Sequence, residues 1–381
     1  MKKIIVKIKG YLAYFIMLIC SIFPIQNKIV FTSFRGLCYN DNPKAIFKEL
    51  KKANHRIKFI WLMKNDNEII DGSKIIKYRS LRAIYHLATA RVWIDNKRKS
   101  RWIHKRKEQY YIQTWHGDIA LKKIERDAEE KLDKDYIVTA KRDSENIDLF
   151  ISGTKWMTKK LSSTFWYDGK ILEVGMPRYD LFYLNENEKL NNKEKIMKSL
   201  SIEKNVKIIL YAPTFRNNKR VDIYTLNYNQ LLNMCRNKWG EEWKIFIRLH
   251  PNIQDMHKKI KYNDNVIDMS TYPDINELIN ICDILITDYS SCMFDAMIAR
   301  KKCFLYAIDI KDYYDERGFY WKFDELPFSL ATNNEDLLNN ILNYNENIYI
   351  QKVESFENKV GLISNSNASK DVVDYIINNF M

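Results

Sequence analysis

The chain has 381 residues and a formal net charge of +14, and apolar residues make up 46% of it. That length exceeds the size at which one hydrophobic core usually stops growing, so two domains are expected, and the apolar content excludes a disordered chain. The positive charge predicts an anionic partner, but the sequence has no zinc-finger spacing or helix-turn-helix pattern, so we expect no nucleic-acid binding. Its six cysteines form no Cys-x-x-Cys pair, which is typical of reduced, cytoplasmic proteins.

The N-terminal segment combines lysines with an apolar run. Lysines at positions 2, 3, 7 and 9 precede an uncharged run over residues 11–25, and no small-x-small cleavage site follows it. A helix over that run is about 22 Å long, short of the roughly 30 Å hydrocarbon core. We therefore expect residues 1–27 to lie in the inner leaflet, with the lysines on anionic lipids, at the cytoplasmic face of the membrane. A helix buried against the first domain is the alternative.

From Lys28 onward, short apolar runs alternate with amphipathic stretches such as 43–53 and 81–90. We predict strands at 29–33, 58–62, 92–95, 110–114, 149–152 and 171–174, and then at 207–211, 244–249, 266–269, 283–287 and 303–307. This alternation predicts an α/β fold with two doubly wound, Rossmann-like domains. A polar stretch over 185–204 interrupts the series, so we place the domains at 28–190 and 191–381, with a cleft at the carboxyl ends of their strands.

Polar clusters follow the predicted strands of the first domain. Residues 113–117 (QTWHG) come after an apolar run, which places His116 just past a strand end beside Gly117, where a ligand can approach closely. A histidine in that position can act as a base, and a structural histidine with satisfied hydrogen bonds is the alternative. Residues 175–180 (GMPRYD), which include Arg178, form a comparable loop at the end of the domain.

Two clusters of the second domain carry arginines. The first ends the strand at 207–211 and consists of Pro213, Thr214, Phe215 and Arg216. Its guanidinium group can pair with a phosphate in bidentate fashion, although a surface arginine after a turn is common. The second cluster is Arg248-Leu249-His250-Pro251. Arg248 and His250 alternate along the strand end, and a cation with an imidazole in that position suits a pyrophosphate leaving group.

The most specific cluster of the second domain is a strand, a hydroxyl-rich turn and a helix start at residues 283–299. Thr287, Ser290 and Ser291 lie in the turn, where free backbone amides favour an anion, and Asp295 follows one helical turn later. Ordinary helix capping by serine and aspartate is the alternative. Beyond the next strand, the charged turn at 315–319 with Arg317 is predicted to close over the ligand.

Taken together, these motifs resemble the CDP-glycerol glycerophosphotransferase family of teichoic acid synthesis. The resemblance covers nearly the whole chain after Lys28 and is carried by residues 41–45 (DNPKA), 113–117 with 121–124 (LKKI), 175–180, 211–216 (YAPTFR), 248–251 (RLHP), 285–291 (LITDYSS) and 315–320 (DERGFY). It implies a GT-B fold, in which the first domain lies on the acceptor side and the second binds the CDP-linked donor. It also implies attachment to the inner face of the cell membrane.

The resemblance implies an activity as well. Glycerol phosphate, or ribitol phosphate, would pass from CDP-glycerol or CDP-ribitol to a lipid-linked or polymeric acceptor of teichoic acid or capsule synthesis, with release of CMP. No dedicated carboxylate cage is evident, so no cofactor is predicted, and Mg²⁺ is expected only as a companion of the phosphate substrate. Primase or polymerase action, and a homo-oligomeric state, stay open.

The resemblance assigns roles to individual residues. His116 resembles the general base that activates the acceptor hydroxyl, and His250 the second essential histidine, which handles the donor phosphates. The positions that match donor contacts of the family are His116, Gly117, Asp118, Ile119, Ala120, Arg178, Thr214, Phe215, Arg248, Leu249, His250, Ser290, Ser291 and Asp295. Their neighbours in the same clusters, Pro213, Arg216, Thr287 and Arg317, are added to this predicted donor site.

Two features depart from the family pattern. Asp118-Ile119-Ala120 stands where the family often has a small polar residue and a proline, so Asp118 either orients the imidazole of His116 or indicates a different acceptor. The basic run at 97–107 (KRKSRWIHKRK) is predicted to be a solvated or lipid-facing loop, with His104 at the interface.

Two other functions remain as alternatives. A GT-B glycosyltransferase with a UDP- or GDP-sugar donor would use the same fold and phosphate site. A non-catalytic, membrane-bound scaffold that binds polyanions is the more remote alternative, because several polar clusters at strand ends are hard to explain without a site.

Overall fold

The computed structural model describes residues 2–53, 56–214, 216, 225–249, 260, 262–310 and 318–381. The chain forms two compact units. Unit 1 comprises residues 1–118, 124–180 and 362–381, and unit 2 comprises residues 119–123 and 181–361. The predicted boundary at residue 190 lies near the transition at residue 180, but the last residues of the chain fold with unit 1, whereas the sequence pattern assigned them to the second domain.

Unit 1 is built on a seven-stranded sheet with the order β3-β2-β1-β4-β5-β6-β7. Every neighbouring pair in this sheet is parallel. The strands are β1 (Gln26–Thr32), β2 (Lys58–Met63), β3 (Lys74–Lys77), β4 (Ala90–Asp95), β5 (Tyr110–Gln113), β6 (Leu149–Ser152) and β7 (Lys170–Glu173). The central strands are buried along most of their length, as expected for a parallel sheet with helices on both faces.

The helices of unit 1 come from both ends of the chain. They are α1 (Lys2–Cys20), α2 (Asp41–Lys52), α3 (Leu81–Thr89), α4 (Lys134–Ser144), α5 (Lys155–Thr164) and, after all of unit 2, α12 (Ala368–Phe380). Side chains of the preceding residues cap three of them, because Ser80, Asp133 and Thr154 accept hydrogen bonds from the first turns of α3, α4 and α5.

Unit 2 contains a six-stranded parallel sheet with the order β10-β9-β8-β11-β12-β13. Its strands are β8 (Lys207–Tyr211), β9 (Trp243–Ile247), β10 (Val266–Asp268), β11 (Ile284–Thr287), β12 (Lys302–Tyr306) and β13 (Ser329–Ala331). Its helices are α6 (Glu186–Ser199), α7 (Tyr228–Trp239), α8 (Ile275–Ile281), α9 (Cys292–Ile298), α10 (Asn334–Leu342) and α11 (Glu346–Val360). The predicted α/β fold with two parallel sheets is confirmed.

The elements that the sequence pattern missed include two strands and a helix. β3 and β13 are edge strands of four and three residues, too short for a periodic signal. The polar stretch at 185–204, interpreted as an interruption, contains helix α6. Asn185 and Glu188 form a reciprocal capping box at its start, and Ile196 and Met197 are buried. The Asn-x-x-Glu spacing was the signal that identifies this helix start.

Helix α1 is apolar on two opposite faces. Met17 is fully buried, and Ala13, Ile16 and Cys20 pack beside it on the core of unit 1. Its other face and the turn that follows expose a row of large apolar side chains, which are Ile8, Tyr11, Leu12, Phe15, Leu18, Ile19, Ile22 and Phe23. In the part of the chain that the structure describes, every helix is too short or too polar to cross a lipid bilayer.

The basic run at 97–107 is only partly a surface loop, so the prediction for its first residues is wrong. Arg98 is buried, and its guanidinium group binds Glu125 at 3.1 Å and Asp143 at 3.3 Å. It also donates to the Ser144 hydroxyl at 2.7 Å. Lys99 is buried in an ion pair with Asp95 at 2.8 Å. Charge runs are usually solvated, but here buried carboxylates from β4, α4 and the segment before α4 neutralise the two cations internally.

We expect Arg98→Met to destabilise the protein by about 3–5 kcal/mol, because it leaves two buried carboxylates without their cation. Arg101→Met is the matched control, since Arg101 pairs with the exposed Asp135 and such surface pairs contribute about 0–1 kcal/mol. Urea unfolding of both variants measures the difference. Equal loss in the two variants would contradict the buried network.

Candidate active site

In unit 1, two neighbouring strands end at the same level. β4 and β5 pair with Asp95 opposite Gln113. Because the strands are parallel, the residues that follow them leave the same edge of the sheet. Asn96 and Lys97 therefore lie beside the segment from Thr114 to His116, as expected from the position of functional residues at carboxyl ends of strands.

Both ring nitrogens of His116 have hydrogen-bond partners. Nδ1 lies 2.9 Å from the carbonyl oxygen of Asn96, and Nε2 lies 2.7 Å from Nζ of Lys97. A carbonyl oxygen can only accept, so Nδ1 carries the proton and Nε2 accepts from the lysine. Burial, and then the positive charge of Lys97, hold the pKa of His116 well below its ordinary value. The imidazole is therefore a neutral base whose lone pair is on Nε2.

The backbone before His116 is strained. Trp115 has φ of +54°, a left-handed conformation that is uncommon outside glycine. Its carbonyl oxygen accepts from Asn42 Nδ2 at 3.2 Å, and its amide donates to Gln113 Oε1 at 3.0 Å. These contacts hold the turn that directs the imidazole toward Lys97.

Arg178 is part of the framework around His116. Its Nη1 donates to Asp41 Oδ1 at 3.3 Å and to the carbonyl oxygen of His116 at 3.1 Å. Asp41 also accepts from Asn96 Nδ2 at 2.6 Å. The guanidinium group thus links the start of α2 and the segment after β7 to the backbone of His116. Direct contact of Arg178 with a donor stays a prediction.

Asp118 is not the group that orients the imidazole, because both ring nitrogens of His116 contact other residues. Its carboxylate is buried and accepts from the Gly153 amide at 2.8 Å, which ties it to the turn between β6 and α5. A Cβ atom at position 153 would lie 2.8 Å from Asp118 Oδ2. The close approach therefore requires a glycine there.

The next residues belong to unit 2. Ile119 is buried, and the carbonyl oxygen of Ala120 accepts from Trp321 Nε1 at 3.1 Å. Gly117, which precedes Asp118, is partly exposed. Donor binding by residues 117–120 therefore stays a prediction, and for Ile119 the structure gives a packing role.

In unit 2, β8 lies between β9 and β11, so three predicted clusters leave one edge of that sheet. Tyr211 pairs with Ile247 on one side and with Ile286 on the other. Asp288 connects two of the turns, because its Oδ1 accepts from the amides of Thr214 at 2.8 Å and Tyr289 at 2.6 Å.

Arg216 is held by two carboxylates. Its guanidinium group binds Asp309 through Nε at 2.6 Å and Nη2 at 2.9 Å, and Asp288 at 2.9 Å. It also lies 4.8 Å from the ring centroid of Tyr289. Arg216 therefore braces the turn through carboxylates of the protein, and the predicted phosphate contact stays untested.

The remaining predicted site residues at this edge divide into two sets. The hydroxyl of Thr287 donates to Ala212 O at 2.7 Å, and Leu249 and Pro213 are buried, so these three side chains support the sheet edge. Arg248 is only partly buried and donates to the carbonyl oxygen of Tyr272 at 3.2 Å through Nη2. Contact of Arg248 with a donor phosphate stays a prediction.

Ser290 and Ser291 precede α9, with Asp295 buried in its first turn. Ser291 stands at the N-cap position, but its φ and ψ are helical and its hydroxyl makes no capping hydrogen bond. Ser290 Oγ accepts from the Cys292 amide at a long 3.4 Å. Ordinary capping, the alternative interpretation, therefore does not describe Ser291, whose partly exposed hydroxyl remains suited to an anion.

Three predicted site residues, Phe215, His250 and Arg317, lie outside the described residues. Within those that are described, no three His, Cys, Asp or Glu side chains are close enough together to hold a metal ion. The structure adds Lys97, Asn96 and Asp41 to the surroundings of His116. Lys97 lies two positions past the predicted strand at 92–95, as His116 does past the strand at 110–114, so the strand-end rule that selected His116 would have selected it too.

Comparison with known proteins agrees with these motifs. The family described as CDP-Glycerol:Poly(glycerophosphate) glycerophosphotransferase matches residues 13–378. A teichoic acid poly(glycerol phosphate) polymerase of Bacillus spizizenii is 32% identical over 378 residues, which cover 94% of each protein. The polymerase of the same name from Staphylococcus epidermidis is 32% identical over 91% of this chain, which spans only 50% of that protein. The structure of the wall teichoic acid polymerase TagF matches with a TM-score of 0.85 and 30% identity, covering 100% of this chain and 95% of that one.

Ser291→Ala should leave stability nearly unchanged, because the hydroxyl makes no capping hydrogen bond. Ser80→Ala is the matched control, since Ser80 caps α3 by accepting from the Ala83 amide at 3.1 Å, and loss of such a cap costs about 1 kcal/mol. Chemical denaturation of both variants makes the comparison. A loss for Ser291→Ala as large as that of the control would restore the capping interpretation.

Proposed function

Because this chain belongs to the CDP-glycerol:poly(glycerophosphate) glycerophosphotransferase family, we propose that it transfers glycerol phosphate from CDP-glycerol to a lipid-linked polymeric acceptor of teichoic acid synthesis. A related polyol phosphate such as ribitol phosphate is the second donor group to test. Glycerol is preferred because the names of the matching family and of the Bacillus spizizenii and Staphylococcus epidermidis polymerases include glycerol phosphate or glycerophosphate. The observation that carries the proposal is the neutral imidazole of His116, whose lone pair is on Nε2.

The reaction follows from the chemistry of that imidazole. Nε2 of His116 takes the proton of an acceptor hydroxyl as the hydroxyl oxygen attacks the β-phosphorus of the donor. A new P–O bond forms, and the bond from the β-phosphorus to the oxygen of CMP breaks, so that CMP leaves with the electron pair. Such phosphoryl transfers depend mainly on positioning and on fixed positive groups, and a well-placed base contributes about 10²–10⁴-fold.

In unit 2, the proposed donor-binding groups are Arg248, Ser290 and Ser291, together with His250. A guanidinium group pairs well with phosphate oxygens. The turns that carry these groups are held by ion pairs of Arg216 with Asp288 and Asp309, so these three residues have a supporting role. The buried carboxylate of Asp295 is proposed to bind a hydroxyl of the donor.

The assay distinguishes this proposal from a glycosyltransferase and from a scaffold. Purified protein is incubated with CDP-glycerol, CDP-ribitol or UDP-sugars plus a lipid-linked acceptor, and nucleotide release is followed. We expect CMP from CDP-glycerol. UDP release alone would replace the proposal with a sugar transferase, and absence of turnover with every donor would favour a binding protein.

His116→Ala should lower the rate of CMP release by about 10²–10⁴-fold, because it removes the base. His104→Ala is the matched control. His104 lies against Tyr14 of α1, with ring centroids 5.9 Å apart, and plays no part in the proposed reaction. Circular dichroism and thermal melting check that both variants fold. Full activity of His116→Ala would refute the mechanism.

We further propose that α1 lies on the inner face of the cell membrane with its exposed apolar row in the lipid interface. One face of the helix is used for packing on unit 1, the apolar row on its other face is exposed, and a helix of this kind favours the headgroup boundary. Lys7 and Lys9 are exposed at its start and are placed to meet anionic headgroups.

The remaining part of the basic run supports the same orientation. Trp102 packs on Tyr11 with ring centroids 4.4 Å apart, and Arg106 donates to the carbonyl oxygen of Phe23 at 2.8 Å. Trp102 thus lies against α1, and Arg106 adds positive charge beside the turn that follows it. An aromatic ring between apolar and basic groups suits the interface region.

Vesicle sedimentation tests the proposal. Wild-type protein should bind vesicles that contain phosphatidylglycerol and bind neutral phosphatidylcholine vesicles more weakly. A double variant, Ile8→Glu with Ile19→Glu, should reduce binding by about tenfold or more, because it removes apolar contact worth roughly 1.4 kcal/mol or more. Ile69→Glu, at an exposed isoleucine outside α1, is the control. Equal binding by the double variant and the control would contradict the proposed orientation.

A further inference from the structure

Lys97 occupies an unusual position for a lysine in a basic run. Its amide donates to Asp95 Oδ1 at 3.0 Å, and its carbonyl oxygen accepts from Gln113 Nε2 at 3.1 Å. The backbone is therefore fixed between β4 and β5. Within the described residues, the hydrogen-bond partner of its Nζ is Nε2 of His116, at 2.7 Å.

The hydrogen-bond pattern determines which form each group takes. Nδ1 of His116 donates to the Asn96 carbonyl oxygen, so Nε2 of the neutral ring can only accept. Lys97 must then donate. A protonated imidazole would place an N–H of Nε2 against an ammonium group, and the two would repel. The geometry therefore requires one proton on the ring, at Nδ1.

Other charges surround this pair. Arg35 and Arg178 add positive charge near His116, and Asp41, Asp95 and Glu125 favour the charged form of Lys97. Burial, and then Arg35, lower the pKa of Lys97 to about 8. It is thus mostly an ammonium ion at neutral pH. The rings of Phe34 and Trp115 lie 5.5 and 5.9 Å from Nζ and compensate part of the lost hydration.

We propose that Lys97 is a positioning residue for His116: its ammonium group keeps the imidazole in the neutral, Nδ1-protonated form, so that Nε2 is the atom that receives the proton of the acceptor hydroxyl. The proposal rests on the function proposed above. An ammonium group has three N–H donors on a rotatable stem. Nζ can therefore release Nε2 to an incoming hydroxyl and turn toward an oxygen of the substrate.

The expected sign of the pH effect follows from the charges. A positive neighbour makes protonation of an imidazole harder, so Lys97 extends the activity of the neutral base to lower pH. Lys97→Met removes that charge and should move the acid limb of the kcat/KM profile up by about one pH unit, as expected for one lost charge at hydrogen-bond distance. Lys97→Arg keeps the charge and should keep the limb near its wild-type position.

Nuclear magnetic resonance of ¹⁵N-labelled imidazole tests the same idea without turnover. Wild-type His116 should be the Nδ1-protonated neutral tautomer at pH 7, and its titration should move to higher pH in Lys97→Met but not in Lys97→Arg. A wild-type ring protonated at Nε2, or a titration that is the same in all three proteins, would overturn the proposal. The tautomer of the wild-type ring can overturn the proposal even if a variant fails to fold.

The two proposals fail in different ways. A protein that releases no CMP with any donor would refute the proposed function, while the tautomer and titration of His116 would still report on Lys97. Normal CMP release with an acid limb that Lys97→Met does not move would refute the positioning role alone. Thermal melting of Lys97→Met separates a general loss of folded protein from a shifted pH profile, because unfolding lowers activity at every pH.

Discussion

In both sheets every pair of neighbouring strands is parallel, and this constraint decides where polar side chains can gather. The carboxyl ends of the strands meet at one edge, so residues far apart in sequence become neighbours there. Lys97 and His116 are 19 positions apart and within hydrogen-bond distance. Asp288 and Thr214 are 74 positions apart and are joined in the same way. The apolar residues of the strands determine which strands pair in the sheet. That pairing decides which polar residues lie next to one another where the strands end.

The electrostatics of unit 1 depend on the same edge. The positive groups Lys97 and Arg178 lie near His116, and Asp41 lies among them and binds Arg178. Because the carboxylate is directed at Arg178 and Asn96 and not at the imidazole, it balances charge without raising the basicity of His116. Burial, and then the charge of Lys97, keep the ring neutral, and a neutral ring is the form that can accept a proton.

The strand pattern predicted most of the fold because each long buried strand carries its own apolar signal. It failed where that signal is short, as in β3 and β13, and where polar composition concealed a helix, as in α6.

The position of His116 followed from the strand-end rule, but its partners did not, because periodicity contains no information about which loops the register brings together. Lys97 illustrates the difficulty: the strand-end rule places it at the same sheet edge as His116, but a lysine at the start of a basic run has the composition of a surface loop, and only the register of β4 and β5 shows that it lies beside the imidazole. For Arg216 the opposite happened. The sequence showed a cation after a strand, and the carboxylates that bind it lie more than 70 residues further along the chain.

The return of residues 362–381 to unit 1 has a consequence for the order of events during synthesis. Phe380 stacks on Tyr110 with ring centroids 4.1 Å apart, and Asp180 accepts from the amides of Ala368 and Ser369. While the ribosome is still adding those residues, all strands of unit 1 have been translated, but α12 has not. The whole of unit 2 has already been translated at that point. Domains generally fold as units in the order in which they emerge. In this chain the first unit to emerge is therefore the second that can be completed.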